Sequence, residues 1–210
     1  MNTKLATKDL RVPNEQIING DLKLSKNSYE PNYPELQNMS AKGRKLSEDV
    51  LQILEHSVFP KKSKDNARTN IFEKKTDVVE AFVLGKVKDY SRADLVNSVD
   101  NIRFPLLTEL LHNLIKEHNP SFSYTSIQIN KGVKTSWHKD RGNRGMSYCL
   151  GLGHYKGGGV DVKLDNGKIL HFDNKNKYLY YDGNYYEHSS SPVQSGLRFA
   201  IIFYTSRHSA

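Results

Sequence analysis

Cysteine is nearly absent from this 210-residue chain, which has Cys149 and no other. An internal disulfide and a multi-cysteine zinc site are therefore excluded. Cys149 lies in the apolar run Tyr148-Cys149-Leu150, where a buried filler is expected rather than a nucleophile. Long hydrophobic runs are missing too. No stretch approaches the roughly 18 to 20 apolar residues that span a bilayer. The opening MNTKLATKDL has no apolar centre of the kind a secretory signal needs. These absences lead to the expectation of a soluble, intracellular protein, cytoplasmic or nuclear, in a reducing compartment. Hydrophobic residues make up 37% of the chain, a low share, so one packed domain is expected alongside some chain that does not pack.

Acidic residues are scarce in the C-terminal part. From Ser123 to Ala210, 12 Lys and Arg stand against six Asp and Glu, compared with 19 against 17 in the remainder. The net charge of +8 thus gathers in that part. A field of this sign favours a polyanionic partner such as nucleic acid, although a solvated basic face explains the same charge.

Residues 1–46 are rich in Asn, Lys, Ser, Pro and Glu and show little periodicity. They read as a polar arm, wrapping or disordered, ahead of a functional domain over 47–210. Ser47-Glu48-Asp49 reads as a helix start leading into Val50, Leu51, Ile53 and Leu54. The basic stretch from Lys61 to Arg68 reads as a loop, with a phosphate-contacting patch as the alternative. Asp77 to Leu84 has strand character, closed by Gly85. Leu106, Leu107, Leu110, Leu111, Leu114 and Ile115 follow helical spacing, with Pro105 in the first turn and Asn119-Pro120 as the stop. This helix is expected to back a sheet.

From Ser123 the chain breaks into short β-rich runs. Strands are expected over 124–130, 135–140, 146–153, 160–165, 168–173, 177–181 and 198–205. Asp165-Asn166-Gly167 predicts a tight hairpin with positive φ at both central positions. So many short strands indicate an antiparallel barrel or a two-sheet jelly roll.

Within this region His138 and Asp140 are two residues apart on an expected strand, which points both side chains to one face. His188 is the natural third ligand. Two imidazoles and one carboxylate leave three positions of an octahedral metal open, which suits a non-haem Fe(II) oxygenase. The same three residues can also hold catalytic zinc with a water. Arg198 opens the apolar run Phe199-Ala200-Ile201-Ile202-Phe203-Tyr204. A buried guanidinium there is costly without a partner, and a carboxylate meets it through two parallel hydrogen bonds. A zinc hydrolase gives no reason for such an Arg. The remaining histidines, His56, His112, His118, His154 and His171, read as structural or exposed, and His208 lies near the terminus.

From Tyr124 to Arg207 the chain resembles the TET/JBP-like oxygenases, which oxidise the methyl group of 5-methylpyrimidines in DNA. The resemblance rests on His138-Lys139-Asp140-Arg141-Gly142-Asn143 and on Arg198-Phe199-Ala200-Ile201-Ile202-Phe203-Tyr204. It implies an α+β, mainly β fold with a double-stranded β-helix (jelly-roll) core over about 123–207, backed by helices. It implies that His138, Asp140 and His188 bind Fe(II), that Arg198 holds 2-oxoglutarate, and that O2 is the second co-substrate. Asn143 would then hydrogen-bond a flipped base and Tyr204 would pack against it. The partner so implied is nucleic acid, DNA first; from the missing apolar runs no membrane partner is expected, and a monomer is expected with the oligomeric state left open. Flipping a base costs a few kcal/mol, which aromatic stacking repays. Two positions depart from the family pattern. Ala200 stands where a hydroxyl residue is frequent, and Ser206 where a base-reading His is frequent. Two rival expectations remain, a prolyl- or lysyl-type protein hydroxylase with the same iron chemistry, and a non-catalytic nucleic-acid-binding module.

Overall fold

The computed structural model describes residues 32–62, 78–89, 91 and 94–207. Most of the arm, the basic stretch 63–68, Asp77 and His208 lie outside the described residues. The elements in chain order are β1 (Glu35–Asn38), α1 (Ala41–His56), β2 (Lys61–Lys62), β3 (Val79–Asp89), β4 (Asp94–Asn97), α2 (Asp100–Arg103) and α3 (Pro105–His118). The remainder is β: β5 (Ser126–Lys131), β6 (Ser147–Leu152), β7 (Tyr155–Gly157), β8 (Val160–Lys163), β9 (Ile169–Phe172), β10 (Lys177–Tyr181), β11 (Glu187–Ser190), β12 (Val193–Gly196) and β13 (Phe199–Tyr204).

Helix α1 begins six residues before the expected start at Ser47. The hydroxyl of Ser40 accepts the Gly43 amide at 2.9 Å and caps the helix. Ser47 cannot serve as that cap because its own hydroxyl donates back to the Arg44 carbonyl, at 2.7 Å. A domain boundary at 46 therefore falls inside α1, and residues 35–38, assigned to the arm, form strand β1 against β10. Helix α3 runs as its spacing predicts, with Pro105 in its first turn, Asn119 as its C-cap, and Leu107, Leu111, Leu114 and Ile115 buried.

The large sheet has the order β1-β10-β6-β13-β5-β3-β2, with β4 paired to the far end of β3. A smaller sheet, β11-β8-β9, and the pair β12-β7 complete the jelly roll. Period-two alternation sorts the large sheet into two faces. Phe82, Ile127, Ile129, Leu150, Ile201 and Phe203 join Leu54, Leu111 and Leu114 of the helices in the main core. Cys149, Leu179 and Tyr181 turn the other way and meet Val160, Val162 and Leu164 of the smaller sheet. The expected mainly β jelly roll backed by helices is present.

Four local expectations are corrected. Residues 135–140 form no strand: His138 makes a single bridge to His188, while the Asp140 amide donates to Gly183 O at 2.8 Å. The segment is shared between two different neighbours, so no ladder forms. Strand β3 does not stop at Gly85 but turns there, with φ of +82°, and changes partner from β5 to β4. In the β8–β9 hairpin only Gly167 has positive φ (+80°), so the loop is a type I turn closed by a glycine bulge. Strands β7 and β12, absent from the sequence expectation, fill the stretch between β6 and β13.

Candidate metal centre

His138, Asp140 and His188 converge although only His188 belongs to a strand. The irregular segment carrying His138 and Asp140 is pinned at both ends. The Thr135 amide donates to Ser190 Oγ at 2.6 Å, and the amides of His138 and His188 exchange bonds with each other's carbonyls at 2.9 Å. Next to Asp140, the turn Asp182-Gly183-Asn184 is held by Asp182 Oδ1, which accepts the amides of Asn184 and Tyr185 at 2.9 and 3.0 Å. A side chain at Gly183 would crowd the centre, since a Cβ there would lie 3.2 Å from Asp140 Oδ2 and 3.3 Å from His188 Cε1.

The three ligating atoms lie within 4.8 Å of one another, the sole such group among the described residues. His138 Nε2 is 3.8 Å from Asp140 Oδ1, and His188 Nε2 is 3.7 Å from Asp140 Oδ2. Each imidazole donates its Nδ1–H to a backbone carbonyl, His138 to Ser136 at 2.7 Å and His188 to Tyr186 at 3.0 Å. That fixes the tautomer and leaves both Nε2 lone pairs free toward a common point, the arrangement a metal needs. Burial lowers the His188 pKa against the opposing pull of Asp140, which keeps the ring neutral and able to ligate. Tyr181 packs edge-on against His188 with centroids 5.1 Å apart. The donor set fits a divalent metal.

The centre opens on a cavity of about 440 Å³ between the large and small sheets. Its wall includes all six residues singled out in the sequence: His138, Asp140, His188, Arg198, Asn143 and Tyr204. Arg198 is buried, and its Nη2 donates to Asn174 Oδ1 at 3.2 Å. Asn143 is buried as well. Its Nδ2 reaches Asp140 Oδ2 at 3.4 Å, and its Oδ1 has no partner among the described residues. Lys86 and Lys88, from the part of β3 beyond Gly85, also line the wall. Sequence reasoning missed these lysines, and it gave Gly183 no role at the site. Asn174, which steadies Arg198, had no signal, because contacts 24 residues apart leave no periodicity.

No family model matches the sequence, and no curated protein does. Among solved structures, NgTET1 in complex with 5mC DNA superposes with a TM-score of 0.54 at 13% identity, over 84% of this chain and 73% of that one. The two chains share a fold. A prolyl hydroxylase from Trichoplax adhaerens, solved with a hypoxia-inducible-factor peptide, gives 0.49 at 14% identity, over 82% and 83%. A 2OG-Fe(II) oxygenase family protein from Burkholderia pseudomallei gives 0.47 at 14%, over 77% and 79%.

Proposed function

We propose that this chain is an Fe(II)- and 2-oxoglutarate-dependent dioxygenase of the TET/JBP-like kind, oxidising the methyl group of a 5-methylpyrimidine, 5-methylcytosine first, in nucleic acid. The observation that carries the chemistry is the convergence of His138, Asp140 and His188 on the wall that also holds the buried Arg198. His138 and His188 offer neutral nitrogens and Asp140 a carboxylate, a donor set that would hold Fe(II). With 2-oxoglutarate they supply the oxidant for an inert methyl group: substrate C–H, O2 and 2-oxoglutarate become C–OH, succinate and CO2.

The chain's own residues select and hold. Arg198 anchors the far carboxylate of 2-oxoglutarate through a charge-assisted pair. Asn143 Oδ1, buried at the cavity without a partner among the described residues, accepts an N–H from the edge of a flipped base. Tyr204 gives that base a ring to pack on. Lys86 and Lys88 stand on the wall, while Lys139, Arg141 and Arg144 are carried by the segment around Asp140 and attract the phosphate backbone. A polyanion is the partner this charge supports, and such a substrate puts the protein in the cytoplasm or nucleus.

The test is incubation with Fe(II), 2-oxoglutarate and a 5-methylcytosine oligonucleotide, read by mass spectrometry. Hydroxymethylcytosine and succinate are expected in equal amounts, with substrate binding that weakens steeply as salt rises. Unchanged base from protein that has demonstrably bound metal and co-substrate would remove the substrate assignment.

A further inference from the structure

Beside Arg198 the fold buries the Tyr155 hydroxyl, close enough for the guanidinium and the phenol to act on each other. Neither the Arg198 Nε–H nor the Tyr155 hydroxyl has an acceptor at ordinary hydrogen-bond distance among the described residues. The two residues are nearly sealed from water, at 5% and 4% exposure. Burial raises the Tyr155 phenol above its ordinary pKa against the opposing charge and hydrogen bond of Arg198, so the oxygen keeps its proton and stays a donor. Two neighbouring donors left empty inside a closed fold are costly. One acceptor able to take both removes that cost, and a carboxylate is such an acceptor.

Packing holds Tyr155 in place. Lys175 Nζ donates to the Tyr155 carbonyl at 2.8 Å and lies 4.9 Å above its ring. Gly158 touches both donors' side chains: a Cβ there would sit 3.2 Å from Tyr155 Cε2 and 3.3 Å from Arg198 Cδ. Asn174, fully buried, accepts from Arg198 Nη2 at 3.2 Å and donates to Cys149 O at 3.2 Å, which fixes one end of the guanidinium.

Register locates the hydroxyl. Gly151 on β6 pairs with Ala200 on β13, and paired residues share a face. A Cβ built on Gly151 would come within 2.5 Å of the Tyr155 hydroxyl oxygen. That oxygen thus fills the side-chain space of Gly151, on the same face as the Ala200 methyl and one strand across. Ala200 is the position where the resemblance expects a hydroxyl and this chain has none.

We infer that Tyr155 supplies the hydroxyl donor of a carboxylate slot formed with Arg198, that Asn174 positions the guanidinium, and that the slot takes the far carboxylate of 2-oxoglutarate in place of a hydroxyl at position 200. The inference rests on the 2-oxoglutarate reading above. Its test is calorimetric binding to the full chain loaded with Mn(II), comparing 2-oxoglutarate with 2-oxopentanoate, which has a methyl in place of the far carboxylate. Tyr155→Phe is expected to weaken 2-oxoglutarate about tenfold while 2-oxopentanoate stays within about twofold. Adding Ala200→Ser to Tyr155→Phe restores most of the loss. Equal losses for both ligands, or none for either, would overturn the Tyr155 assignment while leaving 2-oxoglutarate binding intact. Wild-type protein that takes up no 2-oxoglutarate would overturn the parent reading as well.

Discussion

Gly85 shows how one residue shapes the wall of the site. Its φ of +82° belongs to a region that L side chains rarely occupy, and a Cβ there would run into the Thr125 backbone oxygen. The turn at this point releases β3 from β5 and sends Lys86, Val87 and Lys88 along the cavity. Gly85→Ala is therefore expected to cost at least about 1 kcal/mol, from the left-handed backbone alone. Urea denaturation monitored by circular dichroism measures it, and an unchanged midpoint would contradict the assignment. Individual residues differ in how plainly the sequence announced them. His138 and Asp140 were legible as a pair two apart, yet for a reason that does not hold, since no strand carries them. Arg198 was legible because a charge opening an apolar run demands a partner. Tyr155, Asn174 and Gly183 were silent because each acts through a neighbour distant in sequence.

At the scale of elements, amphipathic order decided what could be read. Helix α3 was legible because one face of it is buried against the large sheet. Strand β12, with all four residues exposed, and β7, with three residues, have no alternation to detect. Their pairing nevertheless places Tyr155 beside Arg198. Helix α3 also ends in a titrating group. His118 stacks on Tyr178 with centroids 4.2 Å apart and donates Nε2–H to Gln37 Oε1 at 2.8 Å, tying the helix to β1 and β10. Burial holds its pKa below 6.5, with Glu117 opposing. The folded state thus prefers the neutral ring, and the unfolded chain takes up the proton first. The stability this confers is complete above 6.5 and is lost as pH falls from there to the lower folded value. Wild type should lose more stability than His118→Gln between about pH 7.5 and 5.5. Parallel losses in urea denaturation would show that His118 does not contribute.

For the molecule as a whole, two faces of one sheet divide the labour. The side toward α1 and α3 is apolar and holds the fold. The side toward the small sheet carries the three residues able to hold a metal, the buried Arg198 and the cavity. The jelly roll was legible from the density of short strands and turns. The seating of the chain before residue 47 was not, because β1 and the first turns of α1 are polar and take their stability from tertiary partners. The basic excess from Ser123 onward lies in the same part of the chain as the centre. The most direct test of the account is an anaerobic Fe(II) titration of wild type and Asp140→Ala, followed by addition of 2-oxoglutarate. Wild type should bind one Fe(II) per chain and then develop the visible charge-transfer band of a chelated keto acid, and Asp140→Ala should do neither. Full iron affinity and the same band in Asp140→Ala would contradict it.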